Sequence, residues 1–322
     1  MRVTSDMIDK QLRFKGRIMS QFVRYNSPKN FKMNNKVIQT LYKGKKSKKI
    51  NCEERYITSK EGKVIRLCIY KPKNLKSNAT GLLWIHGGGY AMGIPEQEIH
   101  YFEKFISVAN CVIVAPDYTL SLEKPYPQAF SDCYESLCWM KENAHSLGIR
   151  DDQLFVGGES AGGGLTAAIS LYARDTKGVN IAFQMPLYPM IDDRMNTYSA
   201  IDNNAPVWDS INNSLAWRLY LGDLFESDKV PKYAAPAREI DYSNLPPTFS
   251  FIGDIEPFHD ETVNYIKNLS KDGVKTHFSV YKGCYHGFDT VCPRSYKGKD
   301  ATKEMLRVFE YATNNYFAKQ NN

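Results

Sequence analysis

Short apolar runs rich in β-branched and aromatic residues alternate with helical patterns along most of the chain. The predicted strands are residues 64–70, 82–85, 112–115, 154–156, 182–187, 248–252 and 277–281. The helical patterns between them are clearest at residues 128–144, 161–174 and 261–270. This alternation predicts an α/β fold with a mostly parallel central sheet flanked by helices. In such sheets ligands bind beyond the carboxyl ends of the strands, so the loops after each strand are the places to look for chemistry.

The N-terminal part departs from this alternation. Residues 1–25 follow a roughly helical pattern, with apolar side chains at Met7, Leu12, Phe14, Ile18, Phe22 and Val23. Residues 26–49 are polar, basic and irregular, which is typical of a linker or a mobile lid. Five lysines within residues 43–49 contribute much of the net charge of +7. Such a run is usually a solvated loop, with contact to anionic lipid or an acidic substrate as the alternative. We expect no nucleic-acid partner.

A second departure lies between the predicted strands in the C-terminal half. Residues 192–232 interrupt the alternation and include Trp208, Trp217 and Tyr220, which indicates an inserted helical cap. A chain of 322 residues suffices for one large α/β domain. We therefore predict an N-terminal cap segment and basic linker at residues 1–50. The α/β domain then occupies residues 51–322, with its cap insertion at about 192–232.

Targeting patterns and cysteine usage bear on the cellular location of the protein and on the state of its thiols. Charged residues interrupt every N-terminal stretch that could serve as a signal peptide, and no apolar run approaches the roughly 20 residues that span a bilayer. The seven cysteines show no paired metal-ligand spacing, although Cys284 lies near a candidate site. These observations predict reduced thiols, a cytoplasmic location, no stable membrane insertion, and neither a metal nor another cofactor.

A glycine-rich turn follows the predicted strand at 154–156. It reads Gly158-Glu159-Ser160-Ala161-Gly162 and leads into a helical pattern, which fits the G-x-S-x-G turn that exposes a nucleophilic serine. Small flanking residues allow the sharp bend, and the helix N-terminus adds partial positive charge where an oxyanion would develop. Ser160 is therefore the candidate nucleophile.

A second glycine run, His86-Gly87-Gly88-Gly89, follows the predicted strand at 82–85. Its backbone N–H groups are unshielded, and those of Gly88 and Gly89 could form an oxyanion hole together with that of Ala161. A phosphate-binding loop is the alternative, but the G-x-x-x-x-G-K-[ST] pattern is absent. We expect His86 to support the loop rather than to transfer protons.

Among six histidines, His286 is the best candidate for a general base. It lies in a loop just after the last alternating strand. The chain order serine, acid, histidine is the order expected when a G-x-S-x-G turn supplies the nucleophile. The acid is less determined: Glu256 and Asp254 both follow the strand at 248–252. If Pro257 begins the next helix, the two acidic residues behind it lie in the first helical turn and interact with the helix dipole.

These motifs together resemble the hormone-sensitive-lipase family of α/β-hydrolases, from about Glu53 onward. The matching segments are His86-Gly87-Gly88-Gly89, Asp117-Tyr118, Pro125-Tyr126-Pro127, Gly158-Glu159-Ser160-Ala161-Gly162-Gly163, Leu245-Pro246-Pro247 and His286-Gly287-Phe288. The family's D-P-L-x-D-E acid motif corresponds here to a segment that begins with Glu256. The resemblance therefore implies Glu256 as the acid, with Asp254 in reserve. The G-x-S-x-G turn has Gly-Glu-Ser in place of the commoner Gly-Asp-Ser.

The resemblance implies a serine carboxylesterase with a helical cap, acting on small-molecule esters with short acyl chains. A non-catalytic ligand receptor on the same fold is one alternative, and such receptors tend to lose a member of the triad. A peptidase or amidase is the other, and it usually carries an extra domain. The sequence leaves monomer and homodimer open.

Overall fold

The computed structural model describes residues 1–22 and 25–321. Within these residues the chain forms one eight-stranded sheet with the order β1-β2-β4-β3-β5-β6-β7-β8. The strands are β1 Ile50–Thr58, β2 Val64–Pro72, β3 Ala79–Ile85, β4 Cys111–Asp117, β5 Ile149–Glu159, β6 Phe183–Leu187, β7 Thr248–Gly253 and β8 Thr276–Tyr281. The pairs β1–β2 and β2–β4 are antiparallel, and the other pairs are parallel. This is the predicted α/β architecture.

The described residues also form ten α-helices. They are α1 Arg13–Phe22, α2 Pro28–Tyr42, α3 Ile99–Val108, α4 Gln128–Glu142, α5 Ala144–Leu147, α6 Ala161–Thr176, α7 Ser210–Leu221, α8 His259–Lys271, α9 Phe288–Val291 and α10 Tyr296–Asn315. Helix α6 packs on β5 and β6 and against α4, while α3 and α10 contact each other. All seven residues of β3 are buried, since helices cover a parallel strand on both faces.

Helix α2 corrects the prediction of an irregular linker at residues 26–49. The Ser27 side chain accepts a hydrogen bond from the Asn30 N–H (3.2 Å), and Pro28 occupies the first turn. Phe31 is fully buried, so tertiary packing stabilises a helix whose polar composition obscures its periodicity. The basic run after this helix is also held in place, because Ser47 and Lys49 both bond to Glu103 (2.7 and 2.8 Å).

The N-terminal helical prediction is confirmed for α1, Arg13–Phe22. Met7 and Leu12 precede this helix, and Val23 lies outside the described residues. Residues 192–232 contain α7 and no strand within the part of the chain described. The division into segments 1–50 and 51–322 stays a prediction.

Parallel strands bring the candidate residues to one edge of the sheet. The glycine loop follows β3, Ser160 follows β5, Glu256 follows β7 and His286 follows β8. Because these strands run in the same direction, the loops at their carboxyl ends converge.

Candidate active site

Ser160 lies at the sharp turn between β5 and α6. Its backbone has φ 56° and ψ −119°, a strained conformation for a residue with a side chain. The turn is fixed on both sides: Ser160 N–H donates to the Leu187 carbonyl, and its own carbonyl accepts from the Met190 N–H (both 3.0 Å). A Cβ on Gly162 would lie 2.0 Å from the Ile85 carbonyl oxygen, so only glycine allows α6 to approach β3 here. The hydroxyl is thereby held at the carboxyl edge of the sheet.

His286 lies directly against this hydroxyl. Its Nε2 is 2.8 Å from Ser160 Oγ, and the two residues are 5% and 6% exposed, so little water competes for the contact. The aromatic rings of Tyr188 and Phe258 meet the imidazole edge-on, each at a centroid distance of 5.0 Å. These rings restrict rotation of the imidazole and hold Nε2 towards the serine.

Glu256 approaches the other side of the same imidazole. Its Oε2 is 2.5 Å from His286 Nδ1, and its Oε1 accepts a hydrogen bond from the Gly253 N–H at 3.1 Å. The side chain is fully buried. A carboxylate at Nδ1 assigns the proton to that nitrogen, which leaves Nε2 free to accept the serine proton.

The reserve acid, Asp254, has a different role. Its Oδ1 accepts a hydrogen bond from the Gly283 N–H at 2.6 Å and so ties the β7 loop to the loop that carries His286. The structure therefore brings Glu256, and not Asp254, into contact with the imidazole. Helix α8 begins at His259 rather than at the predicted Pro257, because a turn closes when Glu256 O accepts from His259 N–H (3.2 Å).

Two acidic residues in the first turn of α8 do more than complement the helix dipole. Asp260 accepts a hydrogen bond from the Ser199 N–H at 2.9 Å. Glu261 is buried and accepts from Ile191 N–H at 2.9 Å, which connects α8 to the chain after β6. The prediction of a purely helical role was too narrow, because these contacts join residues about 60–70 positions apart.

The glycine loop after β3 lies beside the serine. Gly88 has φ +121°, and a Cβ there would lie 2.1 Å from the Met92 carbonyl oxygen. Among the described residues, no acceptor takes a hydrogen bond from the N–H of Gly88, Gly89 or Ala161. Three such donors beside one serine hydroxyl could bind a developing oxyanion.

His86 is buried against this loop. Its ring is 1% exposed, stacks on Tyr118 at a centroid distance of 4.2 Å, and has Nδ1 2.8 Å from the Gly87 carbonyl oxygen. Burial lowers the pKa of His86, so the ring is neutral at pH 7. Within the described part of the chain, no hydrogen bond or ring contact joins His86 to Ser160, which fits a role in supporting the loop.

A small pocket of about 160 Å³ opens over Ser160 and His286. Tyr25 and Ile38 line it from the N-terminal segment, and Trp208 lines it from the segment between β6 and β7. Tyr25 and Trp208 contact each other, with ring centroids 5.7 Å apart. Parts of the chain that are far apart in sequence thus border the pocket.

A buried acidic network beside the pocket was not foreseen from the sequence. Glu159, next to Ser160, accepts a hydrogen bond from the Tyr188 hydroxyl (2.8 Å), which lies 3.2 Å from the Tyr101 hydroxyl. Tyr101 in turn bonds to Asp289. Burial raises the pKa of Asp289 to about 6 and that of Glu98 well above its ordinary value. Of these residues only Glu159 stood out in the sequence, because it replaces the commoner aspartate before the serine.

One group of described side chains has the composition of a metal site. Ligand atoms of Glu54, Cys68 and Glu96 lie within 4.8 Å of one another. The Arg66 guanidinium bonds to both carboxylates, at 3.1 Å from Glu54 and 2.9 Å from Glu96. The protein thus supplies its own cation to this group.

No helix in residues 1–22 and 25–321 combines the length and the apolar character needed to cross a bilayer.

Comparison with known proteins identifies the family. The profile of the α/β-hydrolase fold matches residues 82–290, about two thirds of the chain. The chain belongs to this family. It is 30% identical over 223 residues to carboxylesterase NlhH of Mycobacterium tuberculosis, covering 68% of this chain and 70% of that one. It is 31% identical over 229 residues to an arylesterase of Saccharolobus solfataricus, covering 68% and 71%.

A solved structure gives the same result. A bacterial heroin esterase superposes with a TM-score of 0.87 at 28% identity, covering 96% of this chain and 99% of that one. The matches place this α/β-hydrolase in the hormone-sensitive-lipase-like group, and its enzymatic class is carboxylic-ester hydrolase. The expected fold, family and reaction class are confirmed.

Proposed function

We propose that this α/β-hydrolase is a serine carboxylesterase that uses Ser160, His286 and Glu256 as its triad. The observation that carries the proposal is the position of the imidazole, with one nitrogen 2.8 Å from the serine hydroxyl and the other 2.5 Å from a buried carboxylate. In this arrangement His286 can remove the Ser160 proton while Glu256 orients the ring and stabilises its charged form.

The reaction follows from these positions. Ser160 Oγ attacks the ester carbonyl carbon as its proton passes to His286 Nε2. The tetrahedral oxyanion accepts hydrogen bonds from Gly88, Gly89 and Ala161 N–H groups. Its collapse breaks the bond to the alcohol oxygen, which leaves with the proton from His286. Water then loses a proton to His286 as it attacks the acyl-enzyme, and the carboxylic acid and free Ser160 are released.

The acid assignment is tested by two matched variants. Glu256→Ala leaves His286 Nδ1 without its carboxylate, and kcat on p-nitrophenyl butyrate is expected to fall by about 10⁴-fold. Asp254→Ala removes only the bond to Gly283 N–H, and kcat is expected to stay within about tenfold of wild type. Loss of activity in the Asp254 variant alone would show that the acid is misassigned.

The size of the pocket supports short acyl chains as substrates. Its volume of about 160 Å³ is close to the roughly 150 Å³ of a protein cavity that holds one benzene. We therefore propose that kcat/KM for p-nitrophenyl esters is highest for acetate or butyrate and falls steeply towards palmitate. Higher kcat/KM on palmitate would contradict this, and faster turnover of a matched anilide would favour the amidase alternative.

A further inference from the structure

Positive charge is concentrated in one part of this chain. Of its 42 Lys and Arg residues, 13 fall in residues 10–52, a stretch with no Asp or Glu. The rest of the chain holds 29 cationic and 35 acidic residues and is therefore net negative. The excess positive charge of the protein thus belongs to the segment that contains α1 and α2.

Helix α2 exposes apolar side chains in the middle of this positive region. Met33, Val37 and Leu41 lie one turn apart on one face and are 58%, 50% and 65% exposed. Exposed lysines at positions 29, 32 and 36 lie along the adjacent edge of the same face. We call these six residues the basic-apolar face.

The opposite side of α2 is already used. Phe31 is fully buried, and Ile38 lines the pocket over the nucleophile. Asn35 accepts a hydrogen bond from the Gly93 N–H at 3.0 Å, which fixes the helix to the chain beyond the glycine loop. The helix therefore has two apolar sides, and the fold accounts for only the inner one. The basic-apolar face lies on the outer surface of a helix that borders the pocket.

We propose that the basic-apolar face of α2 is a peripheral docking surface for an anionic lipid bilayer. Helices with lysines beside an apolar stripe lie in the interface plane, with the apolar side chains among the acyl chains and the lysines at the headgroups. Docking of this kind requires no membrane-spanning segment. The docked helix would be the same one that borders the pocket through Ile38.

Two other partners fit the basic-apolar face less well. A symmetric dimer through this face would bring each lysine cluster against its own copy, and the like charges would repel. A nucleic acid would engage the lysines but would leave three aliphatic side chains without a favourable contact, since bases stack on aromatic rings. An anionic bilayer offers negative headgroups to the lysines and an apolar interior to the three aliphatic side chains.

The test is sedimentation with phospholipid vesicles. The wild-type protein is expected to bind phosphatidylglycerol–phosphatidylcholine vesicles and to stay in solution with phosphatidylcholine alone. Each lysine near an anionic surface changes partitioning by about fivefold, so Lys29→Glu, Lys32→Glu and Lys36→Glu together should weaken binding by 100-fold or more. Met33→Gln, Val37→Gln and Leu41→Gln together should weaken it by about tenfold or more.

Matched triple variants elsewhere separate this face from general surface effects. Lys267→Glu, Lys299→Glu and Lys303→Glu change as much charge at exposed positions. Replacing the exposed isoleucines at 201, 211 and 240 with glutamine changes as many apolar groups. Both control variants are expected to bind vesicles as wild type does. Circular dichroism and thermal melting verify that every variant is folded, independently of any catalytic assay.

Several results would overturn the proposal. Wild-type protein that does not sediment with anionic vesicles, or that binds neutral vesicles equally, lacks the proposed surface. Full binding by either α2 variant places the contact elsewhere, as does lost binding in a control variant. A dimer in light scattering that becomes a monomer in the apolar α2 variant, without vesicle binding, would assign the face to a second copy instead.

Discussion

Replacement of Asp289 should change how the stability of the protein depends on pH. Asp289 is 2% exposed, and its Oδ2 accepts a hydrogen bond from the Tyr101 hydroxyl. Its Oδ1 has no hydrogen-bond partner among the described residues. Burial, and then the nearby charge of Glu159, raise the pKa of Asp289 from 3.8 to about 6.

The direction of the effect follows from proton linkage. Since the pKa of Asp289 is higher in the folded protein, the folded state binds the proton more tightly than the unfolded state. Its contribution to stability is therefore fully present at low pH and is lost as the pH rises through about 4 to 6. Between pH 5 and pH 8 this loss is on the order of 1 kcal/mol, and Asp289→Asn should lack it.

Urea denaturation at pH 5 and pH 8 measures the difference. The free energy of unfolding of Asp289→Asn minus that of wild type should be about 1 kcal/mol more positive at pH 8 than at pH 5, because only wild type loses stability over this range. Asp300→Asn, at an exposed position on α10, is the control and should show no such change. An Asp289 variant whose offset from wild type is equal at the two pH values would refute the reasoning.

Two further substitutions test the glycine loop after β3 and the ion pairs of Arg66. Gly88→Ala would place a methyl group 2.1 Å from the Met92 carbonyl oxygen and should displace the loop, so kcat should fall by about 10²-fold in a steady-state ester assay. A kcat within threefold of wild type would show that the loop does not hold the oxyanion. Arg66→Met removes the guanidinium that bonds to Glu96 at 2.9 Å and Asp117 at 3.0 Å, leaving a buried carboxylate unpaired. We expect a loss of about 3 kcal/mol in urea denaturation, and an unchanged midpoint would contradict this.

The residues of the candidate site could be proposed from the sequence because they lie in short motifs at strand ends. Ser160 and the glycine loop could be recognised locally, and the strand order then fixes which loops meet. His286 was proposed from its place after the last strand and from the chain order serine, acid, histidine. Spacing alone left Glu256 and Asp254 open, and the resemblance favoured Glu256. The contact of Glu256 with the ring depends on the shape of the turn before α8, which no spacing rule gives.

Other features had no local signal. Helix α2 has apolar residues on two sides and no acidic residue, so its sequence shows no single buried face, although Ser27 followed by proline marks its start. The bond between Tyr101 and Asp289 joins residues 188 positions apart, and no spacing rule predicts such a contact. The antiparallel pairing of β1 and β2 likewise depends on tertiary contacts at the sheet edge.

The central claim, that Ser160 is the nucleophile activated by His286, has a direct test. The protein is incubated with a fluorophosphonate, and the labelled residue is located by peptide mass spectrometry. The geometry predicts one adduct per chain, on Ser160, with no labelling of Ser160→Ala and strongly slowed labelling of His286→Ala. A stable adduct on another residue, or equal labelling of the Ser160 variant, would contradict the account.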